Sequence, residues 1–114
     1  MKIFSINENS DFKRLYYRGK SCVKKRLVLY YRKNRFTYNR LGITVSPKVG
    51  NAVTRNRLRR IIKENYRLTE NLVQGYDIVI VARKSSCNAN FYEIGNDLKS
   101  AILESGLLNK NETC

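Results

Sequence analysis

The sequence predicts a single-domain α/β (α+β) sandwich whose elements follow the order α-β-β-α-β-α. Three observations carry that prediction. At 114 residues, with 42% hydrophobic side chains, the chain can build one modest core and not two. Apolar residues alternate along two stretches, run continuously in a third, and recur at helical spacing in three others. Gly19, Pro47, Gly75 and Gly106 fall where those stretches end.

The first helix is expected over Asp11 to Arg18, with Asn9 or Ser10 as its cap, Asp11 near the positive end of its dipole and Gly19 as a left-handed stop. Its stripe is Phe12, Leu15 and Tyr16. Two turns of helix are marginal in water, so this segment must dock to persist. The run from Cys22 to Arg32 reads as one strand, with Leu27, Leu29 and Tyr31 alternating against Arg26, Val28 and Tyr30. RKNRFTYN is a polar hairpin loop. Arg40 to Ser46 returns as a second strand with Leu41, Ile43 and Val45 inward, and Pro47 ends it.

The second helix is expected from about Asn51 to Leu72. At 100° per residue, Leu58, Ile61, Ile62, Asn65, Thr69 and Leu72 share its inner side. Asn56, Arg59, Arg60, Lys63 and Arg67 project from the other, with Arg55 and Arg57 near the borders. YDIVIVAR is a strand apolar enough to be buried on both faces in a parallel pairing. The last helix, capped by Asn88 or Asn90, carries Phe91, Ile94, Leu98, Ala101 and Ile102 inward and ends near Gly106; residues 107–114 read as a loose tail. One domain thus spans residues 1–114. A strand, helix, strand order from Arg40 to Arg83 would ordinarily give a right-handed parallel crossover.

The charge balance narrows the function. The chain holds 23 Lys and Arg against 9 Asp and Glu, a formal net charge of +14. Phe12 to Lys63 carries 17 of those cations and no acid. Surface charge normally mixes both signs, so an acid-free run of this length calls for an external polyanion, and nucleic acid fits best. No apolar run is long enough to span a bilayer and the N-terminal segment has no signal-peptide core, so a cytoplasmic location is expected. Cys22, Cys87 and Cys114 are widely spaced and without histidine partners, which supports neither a disulfide frame nor a zinc site.

A protein-centred active site is not expected. There is no histidine to act as a general base, and the basic half offers no carboxylate for proton transfer or metal binding. PKVGNAVTRNR has no Gly-Lys-Ser/Thr and is not a phosphate loop. Two binding surfaces are expected instead. The first is the cationic helix face, whose guanidinium forks match phosphate oxygens, with helix N-terminal amides from Gly50 to Val53 beside it. The second sets Phe12, Tyr16 and Tyr30 among Lys13, Arg14 and Lys24 to Arg26, a pattern that suits stacking of unpaired bases, although the same rings could simply join the first helix to the sheet. A major-groove DNA reader is disfavoured, because a strand and Pro47 stand where a helix-turn-helix needs its first helix.

KVGNAVTRNRLRRIIKENYR resembles the signature of the bacterial ribonuclease P protein subunits: a basic residue, Gly-x-Ala-Val-x-Arg-Asn, then a basic helix. Lys48, Gly50, Ala52, Val53, Arg55, Asn56, Arg57, Arg59 and Arg60 carry it. DFKRLYYRG, LVLYYR, RLGITVSPKVG and DIVIVARK occupy the family's other places. The resemblance implies a monomeric protein in a 1:1 complex with a catalytic RNA that hydrolyses precursor tRNA with Mg2+, without a metal site or catalytic residue on the protein. It implies RNA-subunit contacts at Lys48, Gly50, Asn51, Arg55, Asn56, Arg57, Arg59, Arg60, Lys63 and Arg67. By position it places the single-stranded 5′ leader against Phe12, Lys13, Tyr16, Lys24, Arg26 and Tyr30. It further implies a fold similar to domain 2 of a small-subunit ribosomal protein and domain IV of elongation factor G. That fold has a four-stranded mixed sheet and a left-handed βαβ crossover, with the unread strand expected at KNRFTYNR. A ribosome-associated RNA-binding protein of the same fold is the alternative.

Overall fold

The structure is a computed structural model and describes residues 2–109. Its elements are β1 (Phe4–Ser5), α1 (Asn9–Arg18), β2 (Lys20–Val23), β3 (Leu27–Lys33), β4 (Arg40–Thr44), α2 (Ala52–Arg67), β5 (Tyr76–Ala82) and α3 (Phe91–Glu104). The five strands form one mixed sheet in the order β1-β4-β5-β3-β2. β4 runs parallel to β5, so α2 is a crossover, and β3 runs antiparallel to both β5 and β2.

β5 is covered on both faces, as its unbroken apolar run requires. Ile78, Ile80 and Ala82 join Leu27, Leu29 and Leu41 of the sheet, Val45 just past β4, Leu58 and Ile62 of α2, and Ile94, Leu98 and Ile102 of α3 in the main core. Val79 points the other way into a smaller cluster with Ile6 and Leu15 of α1, bordered by Phe12, Tyr30 and Val81. Leu15 is almost wholly buried there. Burying one leucine contributes about 1.5–3 kcal/mol, which is what holds so short a helix in place.

Several boundaries differ from the sequence expectation, each for a local reason. The expected strand from Cys22 to Arg32 is two strands, folded back at Lys24–Arg26, where Lys24 N donates to Leu27 O at 2.8 Å. This hairpin supplies the strand expected at KNRFTYNR, which is instead the loop between β3 and β4. The two-residue β1 extends the sheet from four strands to five by pairing with β4. Helix α1 begins at Asn9, with Glu8 at its cap and no capping side chain. Gly19 is extended, with φ −79°, and is required by space: a Cβ there would lie 2.5 Å from Leu15 O.

Helix α2 stops at Arg67, five residues early. The Leu68 and Thr69 amides turn back onto Glu64 and Tyr66 carbonyls, and Asn71 adopts φ 63°. Leu72 still reaches the core by bridging to Leu108. The tail is therefore packed at its start, with Leu107 buried; residues 110–114, including Cys114, lie outside the described part. Asn90 is the cap of α3, in a reciprocal capping box with Glu93. Cys22 and Cys87 are half-buried free thiols.

At one end of the sheet, three neighbouring strands place Arg40, Asp77 and Arg32 side by side. Arg40 grips Asp77 with two bonds, Nε to Oδ1 at 2.8 Å and Nη2 to Oδ2 at 2.6 Å, and reaches Asp11 of α1 at 3.3 Å. Burial alone would raise the Asp77 carboxyl, but hydrogen bonds from Arg40 and Asn34 outweigh it and hold the group below its ordinary value.

Two predictions follow from packing and charge. A carboxylate whose pKa is lower folded than unfolded stabilises the fold above about pH 4, the unfolded value, and loses that contribution as pH falls through the folded value. Asp77→Asn is expected to cost about 2 kcal/mol at neutral pH, because Arg40 keeps only Asp11. Urea unfolding should then show a shallower further loss below about pH 4 than in the unsubstituted protein. Gly95 lies mid-helix in α3, where alanine is ordinarily favoured by about 1 kcal/mol. A Cβ there would sit 2.6 Å from Asn65 Oδ1, and Asn65 is pinned by its amide bonds to Ile61 O and Phe91 O. Overpacking costs ~1–3 kcal/mol, so Gly95→Ala is expected to lower the melting temperature despite its better helix propensity.

Candidate nucleic-acid interface

Helix α2 starts from a built corner. Ser46 Oγ accepts from Lys48 N at 3.0 Å to open a short turn over Pro47–Val49, and Asn51 Oδ1 accepts from Thr54 N at 2.9 Å to cap the helix. Gly50 between them is extended; a Cβ on it would lie 2.9 Å from Thr54 Cγ2, so the glycine allows the corner to close.

The ten residues expected on this surface do not all remain free. Lys48, Asn51, Asn56, Arg60 and Lys63 are exposed. Arg59 is half-buried, donating to Asn56 Oδ1 at 3.0 Å and reaching Val45 O at 3.5 Å. Arg55 is also half-buried, and its Nε is enclosed without a hydrogen-bond partner. Two arginines are engaged by groups of the protein itself, Arg57 half-buried and Arg67 on the exposed surface. Arg57 donates to the carbonyls of Cys87 and Ala89, both at 2.9 Å, and so clamps the loop that leads into α3. Arg67 grips Glu64 one turn back, and the Glu64 carboxyl is held below its ordinary range by that guanidinium. The exposed cationic face therefore runs from Lys48 through Arg59 and Arg60 to Lys63.

The second surface lies where α1 crosses the sheet. Tyr16 sits edge-on to Tyr30 with ring centroids 5.0 Å apart, and its hydroxyl is 3.1 Å from Thr44 Oγ1. Phe12 is the more buried ring and rests on Gly42, where a Cβ would come within 2.6 Å of the ring edge. Of the two α1 rings, Phe12 thus belongs to the packing and Tyr16 to the open cleft. Asn9, Phe12, Lys13, Tyr16 and Thr44 line a depression of about 400 Å³.

Lys24 and Arg26 are drawn away from this cleft. Arg26 pairs with Glu93 at 3.0 Å and Asp97 at 3.4 Å, and Lys24 pairs with Glu104, all on α3 against the opposite sheet face. Both belong to the hairpin turn that the sequence reading merged into one strand. Among the described residues no group of three or more His, Cys, Asp or Glu side chains stands close enough to hold a metal ion, and no helix is long and apolar enough to cross a membrane.

The two surfaces are joined. A groove of about 360 Å³ has Arg59, Arg60 and Lys63 of α2 on one side and Phe12 with Ile6 and Gly42 on the other. Phe12 is common to this groove and to the cleft. Thr44 and Gly42 were missing from the expected site. The alternation of β4, which turns Leu41 and Ile43 inward, was the signal that sets Gly42 and Thr44 on the α1 face.

Comparison with known proteins agrees with this geometry. The Ribonuclease P family profile matches residues 2–105. The ribonuclease P protein component of Clostridium kluyveri is 44% identical over 110 residues, covering 94% of this chain and 98% of that one. That of Clostridioides difficile is 50% identical over 99 residues, covering 85% and 87%. The solved RNase P protein of Staphylococcus aureus superposes with a TM-score of 0.86 at 34% identity, covering 95% of this chain and all of that one. With its mixed sheet, its cationic crossover helix and a match along nearly its whole length, this chain belongs to the ribonuclease P protein component family.

Proposed function

We propose that this chain is the protein subunit of a ribonuclease P, working in the cytoplasm as one protein bound to one catalytic RNA. The face from Lys48 to Lys63 on α2 docks on the RNA subunit. The cleft between α1 and the sheet holds the single-stranded 5′ leader of precursor tRNA, with Tyr16 and Tyr30 as stacking surfaces and Lys13 beside the backbone. Hydrolysis is carried by the RNA with Mg2+, and the protein contributes charge neutralisation and a grip on the leader. The observation that carries this reading is the shared wall: the cationic groove and the aromatic cleft meet at Phe12, so one small domain can hold two RNA strands at adjoining sites.

On these two surfaces, Lys13, Lys48, Arg55, Arg59, Arg60 and Lys63 are the cations left for phosphate. Neutralising about six phosphates gives a log-log salt slope near −4 to −5 for RNA binding. Arg59→Ala with Arg60→Ala is expected to reduce that slope by about 2 and to weaken binding to the RNA subunit, measured by filter binding across a salt series. A slope near zero in the unsubstituted protein would overturn the electrostatic account.

The deciding experiment is single-turnover cleavage of precursor tRNA by a bacterial ribonuclease P RNA at low Mg2+, with and without this protein, over a series of leader lengths. The expected result is a stimulation that grows with leader length until the cleft is filled. Tyr16→Ala is expected to weaken precursor affinity by roughly 5- to 150-fold, one stacked base being worth ~1–3 kcal/mol, while leaving leaderless tRNA unaffected. Tight RNA binding with no stimulation would instead favour a ribosome-associated RNA-binding protein.

A further inference from the structure

A second cationic cavity stands on the other flank of α1. It has a volume of about 470 Å³, within the range of sites that hold a nucleotide-sized ligand. Helix periodicity separates it from the cleft: Phe12, Lys13 and Tyr16 line the cleft, whereas Asp11, Arg14 and Leu15 line this cavity. From the sheet and the β3–β4 loop come Arg32, Lys33, Arg35 and Arg40.

The acids here are already occupied. Asp77 gives both oxygens to Arg40, and Asp11 is shared between Arg40 and Arg14. Arg32 lies beside Asp77 in register, but the Asp77 carboxylate is paired with Arg40 and not with Arg32. Among the described residues Arg32, Lys33 and Arg35 take part in no ion pair. Three uncompensated cations around one cavity repel each other unless an anion sits among them.

The charge also continues along the surface. An adjoining cavity of about 230 Å³ shares Arg32 and Lys33 and adds Arg18 and Lys20, with Tyr31 and Tyr76 as aromatic walls. Cations spaced along a groove with rings between them suit a strand with a regularly charged backbone and flat bases.

We propose that this track, from Arg35 through Lys33 and Arg32 to Arg18 and Lys20, is a second RNA site that holds an unpaired strand of the RNA subunit. The inference rests on the proposed function above. α1 stands between the track and the cleft, so the leader segment held at Tyr16 is not the occupant; the other RNA of the assembly is.

The test compares Arg32→Ala/Arg35→Ala with a charge-matched Lys25→Ala/Lys99→Ala variant, after melting curves show that both fold. Affinity for the RNA subunit alone is measured across a salt series, and affinity of the holoenzyme for precursors is measured against leader length. The expected result is an RNA-subunit affinity about tenfold lower, with a salt slope smaller by ~1.5–2, in the first variant only. Equal behaviour of the two variants would overturn the track. Unchanged RNA-subunit affinity with a precursor loss that grows with leader length would also overturn it, in favour of the distal leader. The Arg59→Ala/Arg60→Ala variant, run alongside, keeps the two readings apart. Its loss with Arg32→Ala/Arg35→Ala unchanged overturns the track alone, whereas unchanged binding in both overturns the proposed function as well.

Discussion

The central strand β5 has apolar side chains on both faces and must be covered twice. The rest of the architecture depends on that requirement. One face is closed by two long helices, α2 and α3, and forms the main core. The other is closed only by α1, ten residues long and anchored chiefly by Leu15. A helix of that length cannot roof a five-stranded sheet. What it leaves bare is the cleft on one flank and the cationic cavity on the other, so the incompleteness of the second layer is what makes binding surface available.

The distribution of acids does comparable work in the electrostatics. With so few carboxylates, each one that forms an ion pair removes particular cations from the surface. Asp77 and Asp11 fix Arg40 and with it the angle between α1 and the strand ends. Glu93, Asp97 and Glu104 fix Arg26 and Lys24, and thereby the hairpin against α3. The cations left over include Arg59, Arg60 and Lys63 on α2 and Arg32, Lys33 and Arg35 at the end of β3 and in the loop after it, none of which takes part in an ion pair among the described residues.

Much of the fold was legible because its signals are local. The continuous apolar run of β5 and the Ile94–Leu98–Ile102 stripe each depend on spacing within one segment, and the cap of α3, expected at Asn88 or Asn90, is Asn90. The hairpin at Lys24–Arg26 was not legible, since a basic turn inside an apolar run has no glycine or proline to mark it. The end of α2 was also hidden, because Leu72 keeps helical phase although the backbone has already turned. The site divides the same way. Arg59, Arg60 and Lys63 follow from helical phase, and Phe12, Tyr16 and Tyr30 assemble as their positions imply. The diversion of Arg57 to backbone carbonyls and of Arg26 to α3 depends on contacts 30 to 71 residues apart in sequence.

Phe12 lines two cavities at once. A ring shared in this way is a common wall: a displacement of Phe12 in the cleft would also change the groove beside Arg59, Arg60 and Lys63. Thermodynamic linkage would then impose reciprocity: whatever factor a ligand on α2 imposed on affinity in the cleft, a ligand in the cleft would return in equal measure. Gly42 leaves room for the ring by offering no side chain beneath it, so any side chain there would displace the wall that both cavities share.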